Sequence, residues 1–284
     1  LQAIEVGNAR FHPTPFTSML LEGCLESGID STAGGTTYNS SGIQPVGIID
    51  VADSLAAIDE VVFRQRACSM ARLIEALRDD FRGYDELRAR LLAAPKFGND
   101  DARVDRFVPE ITALCEDALR GHRNHRGGPY ITGIYSVTSH LPFGEATGAL
   151  PSGRRAGVPL TNGLSPANGA DRLGPTAALA SAASIDACRW AKNGVNVNLK
   201  LDGASLSTFE RERSLDALMQ GYFADGGMQV QVNVTDPAVL LEAYEDPSAH
   251  PNLLVRVSGY SAYFHDLSPE VQREIIERSL HTSG

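Results

Sequence analysis

Several common features are absent from this 284-residue chain, and each absence excludes a class of protein. The formal net charge is −10 and no Lys/Arg-rich run occurs, which argues against nucleic acid or an anionic membrane as the main partner. No apolar run approaches the roughly 20 residues of a membrane span, and no signal peptide is visible. We therefore expect a cytoplasmic protein without a membrane span.

Cysteine is also scarce, and its spacing predicts no metal site. The four cysteines, Cys24, Cys68, Cys115 and Cys188, are scattered and form no CxxC pair. This usage fits a reducing compartment. The chain begins with Leu1 instead of Met, so we expect a fragment or a processed piece. With 43% hydrophobic residues it can still bury a sizeable core.

Helices and strands are predicted to alternate along the chain. Apolar residues recur at helical spacing in four segments. The first is 52–81 with Asp53 as N-cap, and the second is 104–122, which is broken or starts near Pro109. The third is 207–223, with Ser207 and Glu210 as a capping box and Gly226 and Gly227 as the stop, and the fourth is 268–280, which opens with Ser268 and Pro269. Strands are predicted within 129–137, 195–201, 228–234 and 253–258. Strands separated by helices indicate an α/β fold with parallel pairing.

The segment 144–176 is rich in Gly and Pro and shows little periodicity, so we expect long ordered loops, which are often functional. Arg154 and Arg155 in this segment could hold a carboxylate, sulfonate or phosphate, although a solvated turn explains them equally well. His140 and Asp171 could be polar groups of a pocket, but satisfied structural residues are the better interpretation. The glycine-rich stretch "TAGGTTYNSSG" lacks the Lys of a phosphate-binding P-loop.

Gly259 interrupts the predicted strand at 253–258 and is followed by aromatic residues. The simpler interpretation is a turn or bulge that needs a positive φ, which glycine adopts without steric cost. The alternative is chemical. Loss of one α-hydrogen from a glycine gives a planar radical that is delocalised over both neighbouring peptide groups, and a side chain would crowd that plane. A protein that stores a radical this way would bury the glycine in an apolar loop.

A cysteine thiol could relay such a radical to a substrate, because its S–H bond is close in strength to the glycyl C–H bond. Cys24 lies in "GCLE", with Glu26 two residues later. If this segment is extended, both side chains face the same side and could line one pocket. Alone the pattern is weak, since a lone Cys is more often a small buried hydrophobe.

Taken together, these stretches resemble the glycyl radical enzymes. "RVSGYSAYF" followed by "LSPEVQREIIERSL" is similar to their radical-bearing C-terminal motif, and "GCLE" to the Gly-Cys-x-Glu loop of the dehydratase and lyase branch. The intervening "GGTTYN", "TGALPSGRRAGVPL", "GLSPANGAD" and "GPTA" also resemble the family, so the likeness covers nearly the whole chain.

The resemblance implies roles for three residues. Gly259 would store the radical, Cys24 would form the thiyl that abstracts hydrogen from the substrate, and Glu26 would be the acid/base. No bound cofactor is implied. The radical would be installed by an external activase that uses S-adenosylmethionine and an iron–sulfur cluster, because this chain has no CxxxCxxC motif.

The resemblance also implies a fold, which is one half of a ten-stranded α/β barrel plus a glycyl radical domain. We expect residues 1–220 to form the C-terminal half-barrel with the cysteine loop and residues 221–284 the glycyl radical domain. Members of the family are far longer, so a missing N-terminal half or a partner chain is expected, and a homodimer is the expected assembly. The fragment alone would be inactive.

Two departures from the family narrow the function. Gly23 and Leu25 flank Cys24, so the adjacent cysteine pair of pyruvate formate-lyase is missing, and Ser27 replaces the Pro that follows Glu in many glycerol and choline enzymes. The leading hypothesis is a radical lyase or dehydratase acting on a small polar metabolite. The alternatives are a radical arylacetate decarboxylase and a radical-carrying subunit that works only with a partner.

Overall fold

The computed structural model describes residues 1–201 and 209–280, and describes no side chains for 209–212, 278 and 280. Helices dominate this part of the chain. They are α1 (Gln2–Phe11), α2 (Pro15–Met19), α3 (Cys24–Ser27), α4 (Ile48–Ala57), α5 (Met70–Arg78), α6 (Asp85–Ala93), α7 (Ala102–Asp105), α8 (Phe107–Leu119), α9 (His140–Ala146), α10 (Gly174–Ala183), α11 (Ala187–Trp190), α12 (Phe209–Ala224), α13 (Pro237–Glu245) and α14 (Pro269–Leu280). Short 3-10 turns occupy Ser31–Ala33 and Phe264–Asp266, and a π-helical turn occupies Ile58–Arg64.

The strands are short, and the first four form a parallel series. They are β1 (Ser41–Ile43), β2 (Tyr130–Thr132), β3 (Asn198–Lys200), β4 (Gln231–Asn233), β5 (Leu254–Arg256) and β6 (Ser261–Tyr263). β1 pairs in parallel with β2, with Ser41 opposite Tyr130, and β3 pairs in parallel with β4. A parallel bridge between Ile134 and Val195 joins the two pairs, so the order is β1-β2-β3-β4. The predicted parallel α/β pairing is therefore confirmed.

β5 and β6 form a separate antiparallel hairpin near the C-terminal end of the described chain. β6 was not predicted from the sequence, because only the first strand of the hairpin shows an extended alternating pattern. The four predicted strand regions all contain a strand, and α14 begins at Pro269 as predicted.

Two helix predictions were wrong in detail. The segment 52–81 is not one helix, because α4 runs into the π-helical turn and the helix then ends before α5. Arg66 has φ +50° at this break, and the side chain of Ser69 caps α5 by accepting from Arg72 N–H. Asp53 is not an N-cap. The cap of α4 is Gly47, and Asp53 lies buried inside the helix. The predicted capping box at Ser207 and Glu210 lies outside the described side chains.

Three hydrophobic clusters organise the described residues. The first cluster packs α4, α8 and α10 against the parallel strands and contains Ile49, Phe97, Ile134, Leu179 and Val197. The second joins the end of α4 to α5 and α6 around Phe81, Leu73 and Leu91. The third lies between α13, the hairpin and α14 and contains Leu240, Val255, Phe264 and Ile275.

The first 30 residues carry a large exposed apolar surface. α1 buries none of its residues, and Phe11, Phe16, Leu20 and Leu25 are each more than 60% exposed. A surface of this kind on a folded protein usually contacts another chain or segment. Among the described residues, no helix is long and apolar enough to span a bilayer.

Candidate active site

Gly259 sits at the turn between β5 and β6. Val257 N–H donates to the carbonyl oxygen of Tyr260 at 2.9 Å and closes the turn. Gly259 itself has φ +83°, a conformation that L side chains rarely adopt. The turn explanation for this glycine is therefore confirmed, and the geometry alone leaves the chemical explanation open.

Polar side chains hold the turn against the parallel strands. Gly259 N–H donates to Gln231 Oε1 at 2.9 Å. The hydroxyl of Ser258 donates to Asn162 Oδ1 at 2.9 Å and lies 3.4 Å from Asn196 Nδ2. Ser258 is buried with these amides. The side chain of Ser258 and the backbone amide of Gly259 are therefore both held by hydrogen bonds.

Burial of Gly259 in an apolar loop stays a prediction, and the described residues of this chain do not themselves bury it. Gly259 is exposed, and a Cβ built on it would meet no heavy atom of the described residues within 4 Å. The side chains that hold the turn are the amides of Gln231, Asn162 and Asn196. The rings of Tyr260 and Tyr263 are half-exposed.

Cys24 begins the short helix α3 and is 4% exposed. Its sulfur packs against Gly35, where an added Cβ would lie 3.2 Å from Sγ and would clash with the carbonyl oxygen of Ile29. A Cβ on Gly23 would in turn lie 2.7 Å from the carbonyl oxygen of Gly35. Two glycines therefore allow the close approach that encloses the thiol.

Glu26 does not share a face with Cys24. The predicted extended geometry is wrong, because Cys24–Ser27 is helical and residues two apart in a helix point in nearly opposite directions. The Glu26 side chain is exposed and turns back, so that Oε2 accepts a hydrogen bond from Gly23 N–H at 3.1 Å. In this arrangement the carboxylate caps its own helix.

The cysteine loop and the glycine loop contact different parts of the parallel strands. The Cys24 loop bonds to the residues that lead into β1, through Thr37 N–H to the carbonyl oxygen of Glu22 at 3.0 Å. The Gly259 loop bonds to Gln231 at the start of β4. Contact between Cys24 Sγ and Gly259 stays a prediction.

The other candidates from the sequence are held in structural contacts. Arg154 donates to the carbonyl oxygens of Gly144 and Gly148 and to other carbonyls of the same loop, and Arg155 pairs with Asp80. The anion-binding interpretation of these arginines gains no support, because Arg154 is engaged by backbone carbonyls and Arg155 by the backbone carbonyl and carboxylate of Asp80.

The two other candidates differ in how tightly they are enclosed. His140 is 1% exposed, with Nδ1 2.9 Å from Ser136 Oγ and Nε2 3.9 Å from Glu274 Oε1. Asp171 lies partly buried on the wall of a cavity. The structural interpretation of His140 fits these contacts.

The cavity measures about 380 Å³ and lies beside the 151–172 loops, and the sequence did not identify Asp50, Asp53 and Lys96 as part of its lining. Asp50 Oδ2 accepts from both N–H and Oγ1 of Thr161, and Asp53 Oδ1 accepts from Phe97 N–H at 2.8 Å. Burial raises the pKa of Asp53, which the charge of nearby Lys96 opposes, and burial lowers the pKa of Lys96. In the sequence, the signal for this part of the cavity was the pair Asp50 and Asp53, two acidic residues spaced i, i+3 in a mostly apolar helix.

Two family models match the chain, one in its N-terminal half and one in its C-terminal half. Residues 1–144 match the family described as pyruvate formate lyase-like, and residues 160–265 match the glycine radical domain. The chain is 39% identical over 275 residues to the probable dehydratase YbiW of Escherichia coli, and 37% identical over 279 residues to the trans-4-hydroxy-L-proline dehydratase of Clostridioides difficile. These alignments cover 93% and 96% of this chain.

The fold is similar to solved structures of the same group. The B12-independent glycerol dehydratase from Clostridium butyricum superposes with a TM-score of 0.92 at 37% identity, over 98% of this chain and 35% of that one. The chain spans about a third of the length of these relatives. The predicted fold, part of a glycyl radical enzyme barrel with its glycine radical domain, is confirmed by this likeness. The chain belongs to the pyruvate formate lyase-like family of glycyl radical enzymes.

Proposed function

We propose that the protein is a glycyl radical lyase or dehydratase that cleaves a C–O, C–N, C–S or C–C bond of a small polar metabolite. The observation that carries the proposal is the glycine radical motif on a turn held from the β4 side by Gln231 and from the loop side by Asn162. The named dehydratases among the relatives support this class of reaction.

Gly259 stores the radical in this proposal. Removal of one α-hydrogen leaves an unpaired electron between the peptide nitrogen and the carbonyl. The hydrogen bond from Gly259 N–H to Gln231 fixes one of the two flanking peptide planes. The open space where a side chain would sit allows the α-carbon to flatten.

Cys24 relays the radical. The thiol gives its hydrogen atom to the Gly259 α-carbon, and the resulting thiyl takes a hydrogen atom from the substrate. After bond cleavage the product radical takes that hydrogen back from the thiol, and the thiyl then recovers the hydrogen atom from Gly259. The cycle consumes no oxidant or reductant. The burial of Cys24 protects the thiol between turnovers.

Glu26 moves the proton. A carbon radical beside a hydroxyl acidifies that hydroxyl, so a carboxylate that accepts its proton assists loss of the neighbouring leaving group. In this role Glu26 releases Gly23 N–H, and its exposed position makes that rotation inexpensive.

Partners complete the proposal. An external activase with S-adenosylmethionine and an iron–sulfur cluster removes the first hydrogen from Gly259. The exposed apolar surface of α1, α2 and α3 supports a missing half of the barrel, or a partner chain, as its cover. A homodimer remains the proposed assembly. The 284-residue chain alone is expected to dimerise or aggregate, and a well-behaved monomer with a cooperative melt would count against this cover.

Anaerobic activation tests the proposal. The full-length protein is incubated with a cognate activase, reductant and S-adenosylmethionine, and a doublet electron-spin signal from the remaining α-hydrogen is expected. A substrate screen then separates the reactions, since an aldehyde formed from a diol supports a dehydratase and carbon dioxide release from an arylacetate supports the decarboxylase alternative. Absence of the doublet under conditions that activate a relative would refute the proposal.

A further inference from the structure

The side chains that dock the Gly259 turn have a role of their own. We propose that Asn162 and Gln231 are positioning residues for Gly259, and that their amides set how often the turn lifts away from the parallel strands. The inference rests on the proposed storage of the radical at Gly259. It adds the residues that control access to that radical in the full-length protein, where the missing half of the barrel or a partner chain covers the exposed side of Gly259, and the limits of the segment that moves.

Gln231 is held at both ends of its amide. Oε1 accepts from Gly259 N–H at 2.9 Å, and Nε2 donates to Asn198 Oδ1 at 2.6 Å. Gln231 is buried at the first position of β4, opposite Asn198 in β3. Gln231 Oε1 is therefore already oriented to accept from Gly259 N–H before the turn docks.

Asn162 acts on the preceding residue. Its Oδ1 accepts both from Ser136 Oγ at 3.0 Å and from Ser258 Oγ at 2.9 Å. Its amide nitrogen, like Oδ1 of Asn196, is buried without a hydrogen-bond partner among the described residues. Buried polar atoms of this kind are costly, and water can reach them when the turn lifts. The docked turn is therefore held by a small number of specific hydrogen bonds. It also carries the free-energy cost of two buried polar atoms without partners in the described part of the chain.

The segment that bears the turn has its own hydrophobic core. Leu240 of α13, Val255 of β5, Phe264 and Ile275 of α14 belong to the third cluster. Tyr222 of α12, in contrast, belongs to the first cluster, and Val232 of β4 packs against it. The core therefore divides after β4, and residues 237–280 can separate as one body. This boundary lies later along the chain than the predicted domain boundary at 221.

The interface that such a separation breaks includes several buried polar contacts. Besides the bonds to Ser258 and Gly259, Glu274 of α14 faces His140 at 3.9 Å, and Leu141 supplies an apolar contact. Breaking a hydrogen bond within the protein has a small net free-energy cost, because water replaces the lost partner. Exposing an apolar interface of the same area to water costs more. An interface of this composition suits a turn that must be docked during turnover and released for activation.

Hydrogen exchange on the unactivated full-length protein tests the docking without any radical. Asn162→Leu and Gln231→Met should each exchange about five- to tenfold faster over residues 254–264, as expected for loss of one or two hydrogen bonds. Asn162→Asp should exchange like the wild type, because an acceptor oxygen for Ser258 and Ser136 remains. Ser258→Ala removes the same bond from the other side and should match Asn162→Leu.

Asn99→Ala is the matched control. Its amide also bridges a loop, through the carbonyl oxygens of Lys96 and Ala170, but has no part in docking the turn. This variant should leave exchange over 254–264 unchanged. Faster exchange in the docking variants should extend through 237–280 and stop before β4 and α12. Acceleration that includes 222–233 would overturn the proposed boundary.

The rate at which the activase generates the electron-spin signal provides the second readout. Asn162→Leu and Gln231→Met should gain the signal faster by a similar factor, while Asn162→Asp should not. Exchange within twofold of the wild type in all folded docking variants would overturn the docking role. Faster exchange with an unchanged activation rate would overturn the control of access. A wild-type protein without any signal would refute the radical function and leave the exchange result standing.

Discussion

The sulfur of Cys24 lies directly against Gly35, close enough that a methyl group at position 35 would sit 3.2 Å from it. The same methyl group would clash with the carbonyl oxygen of Ile29, so the backbone of the cysteine loop would have to move. The position of the thiol therefore depends on the absence of a side chain eleven residues later.

Gly35→Ala should displace the thiol and lower turnover at least about a hundredfold, since a shift near 1 Å in a reacting group has an effect of that size. Installation of the radical at Gly259 should be unaffected. Gly221→Ala is the control, because a methyl group there meets no described atom within 4 Å and lies in helix α12, outside the exposed apolar surface of α1, α2 and α3. Wild-type turnover in Gly35→Ala would show that the thiol position is not critical.

Gly259→Ala should abolish the doublet while the protein stays folded. The substitution introduces no clash but places alanine at φ +83°, at an expected loss of about 1–2 kcal/mol in stability. Gly226→Ala, at φ +99°, carries the same backbone strain elsewhere and should keep the doublet. An undiminished signal in Gly259→Ala would place the radical on another residue.

Activated protein exposed to air should be cut at Gly259, because a backbone carbon radical combines with dioxygen and the peroxyl product breaks the chain. Mass spectrometry should find a fragment ending at or just before Gly259 only after activation. Cys24→Ser should still be cut but should show no turnover, since a serine O–H bond is too strong to exchange hydrogen with the glycyl radical. An activated chain that stays intact in air with a full radical signal would contradict the scheme.

Burial raises the pKa of Asp105 from 3.8 to about 6, against the hydrogen bond it accepts from Ser181. The folded chain then holds a proton that the unfolded chain releases between about pH 4 and pH 6. This contribution to stability is complete below pH 4 and is lost as the pH rises through 6, by about 3 kcal/mol. Asp105→Asn keeps the acceptor for Ser181 and should flatten this part of the curve.

Chemical unfolding of wild type and Asp105→Asn at half-unit steps from pH 4 to pH 7.5 measures the difference. The two free energies of unfolding should converge at low pH and separate as the pH rises, with the variant more stable at pH 7. Parallel curves would mean that Asp105 titrates normally in the folded protein.

The sequence predicted the elements that have a clear period and missed the contacts between distant residues. The strands β2 to β5 and the helix α14 were found because alternation, Pro269 and Ser268 are local signals. The four-residue helix at Cys24 is too short to show a period, which is why an extended loop was expected there.

Docking of the Gly259 turn could not be predicted in the same way. It depends on Asn162 and Gln231, which lie 96 and 28 residues from the groups they bind. The motif around Gly259 identified the chemistry of the turn, whereas the residues that hold the turn emerge only when the strands are placed side by side.

The parallel pairing of Ser41 with Tyr130 has a consequence for biosynthesis. β1 leaves the ribosome well before its partner β2, and α4 to α8 are made in between. Its unpaired edge therefore stays available to other nascent chains during that interval, and pairing of this long range is intrinsically slow. Slower translation of α4 to α8 would extend that interval and should increase the dependence of the yield on chaperones.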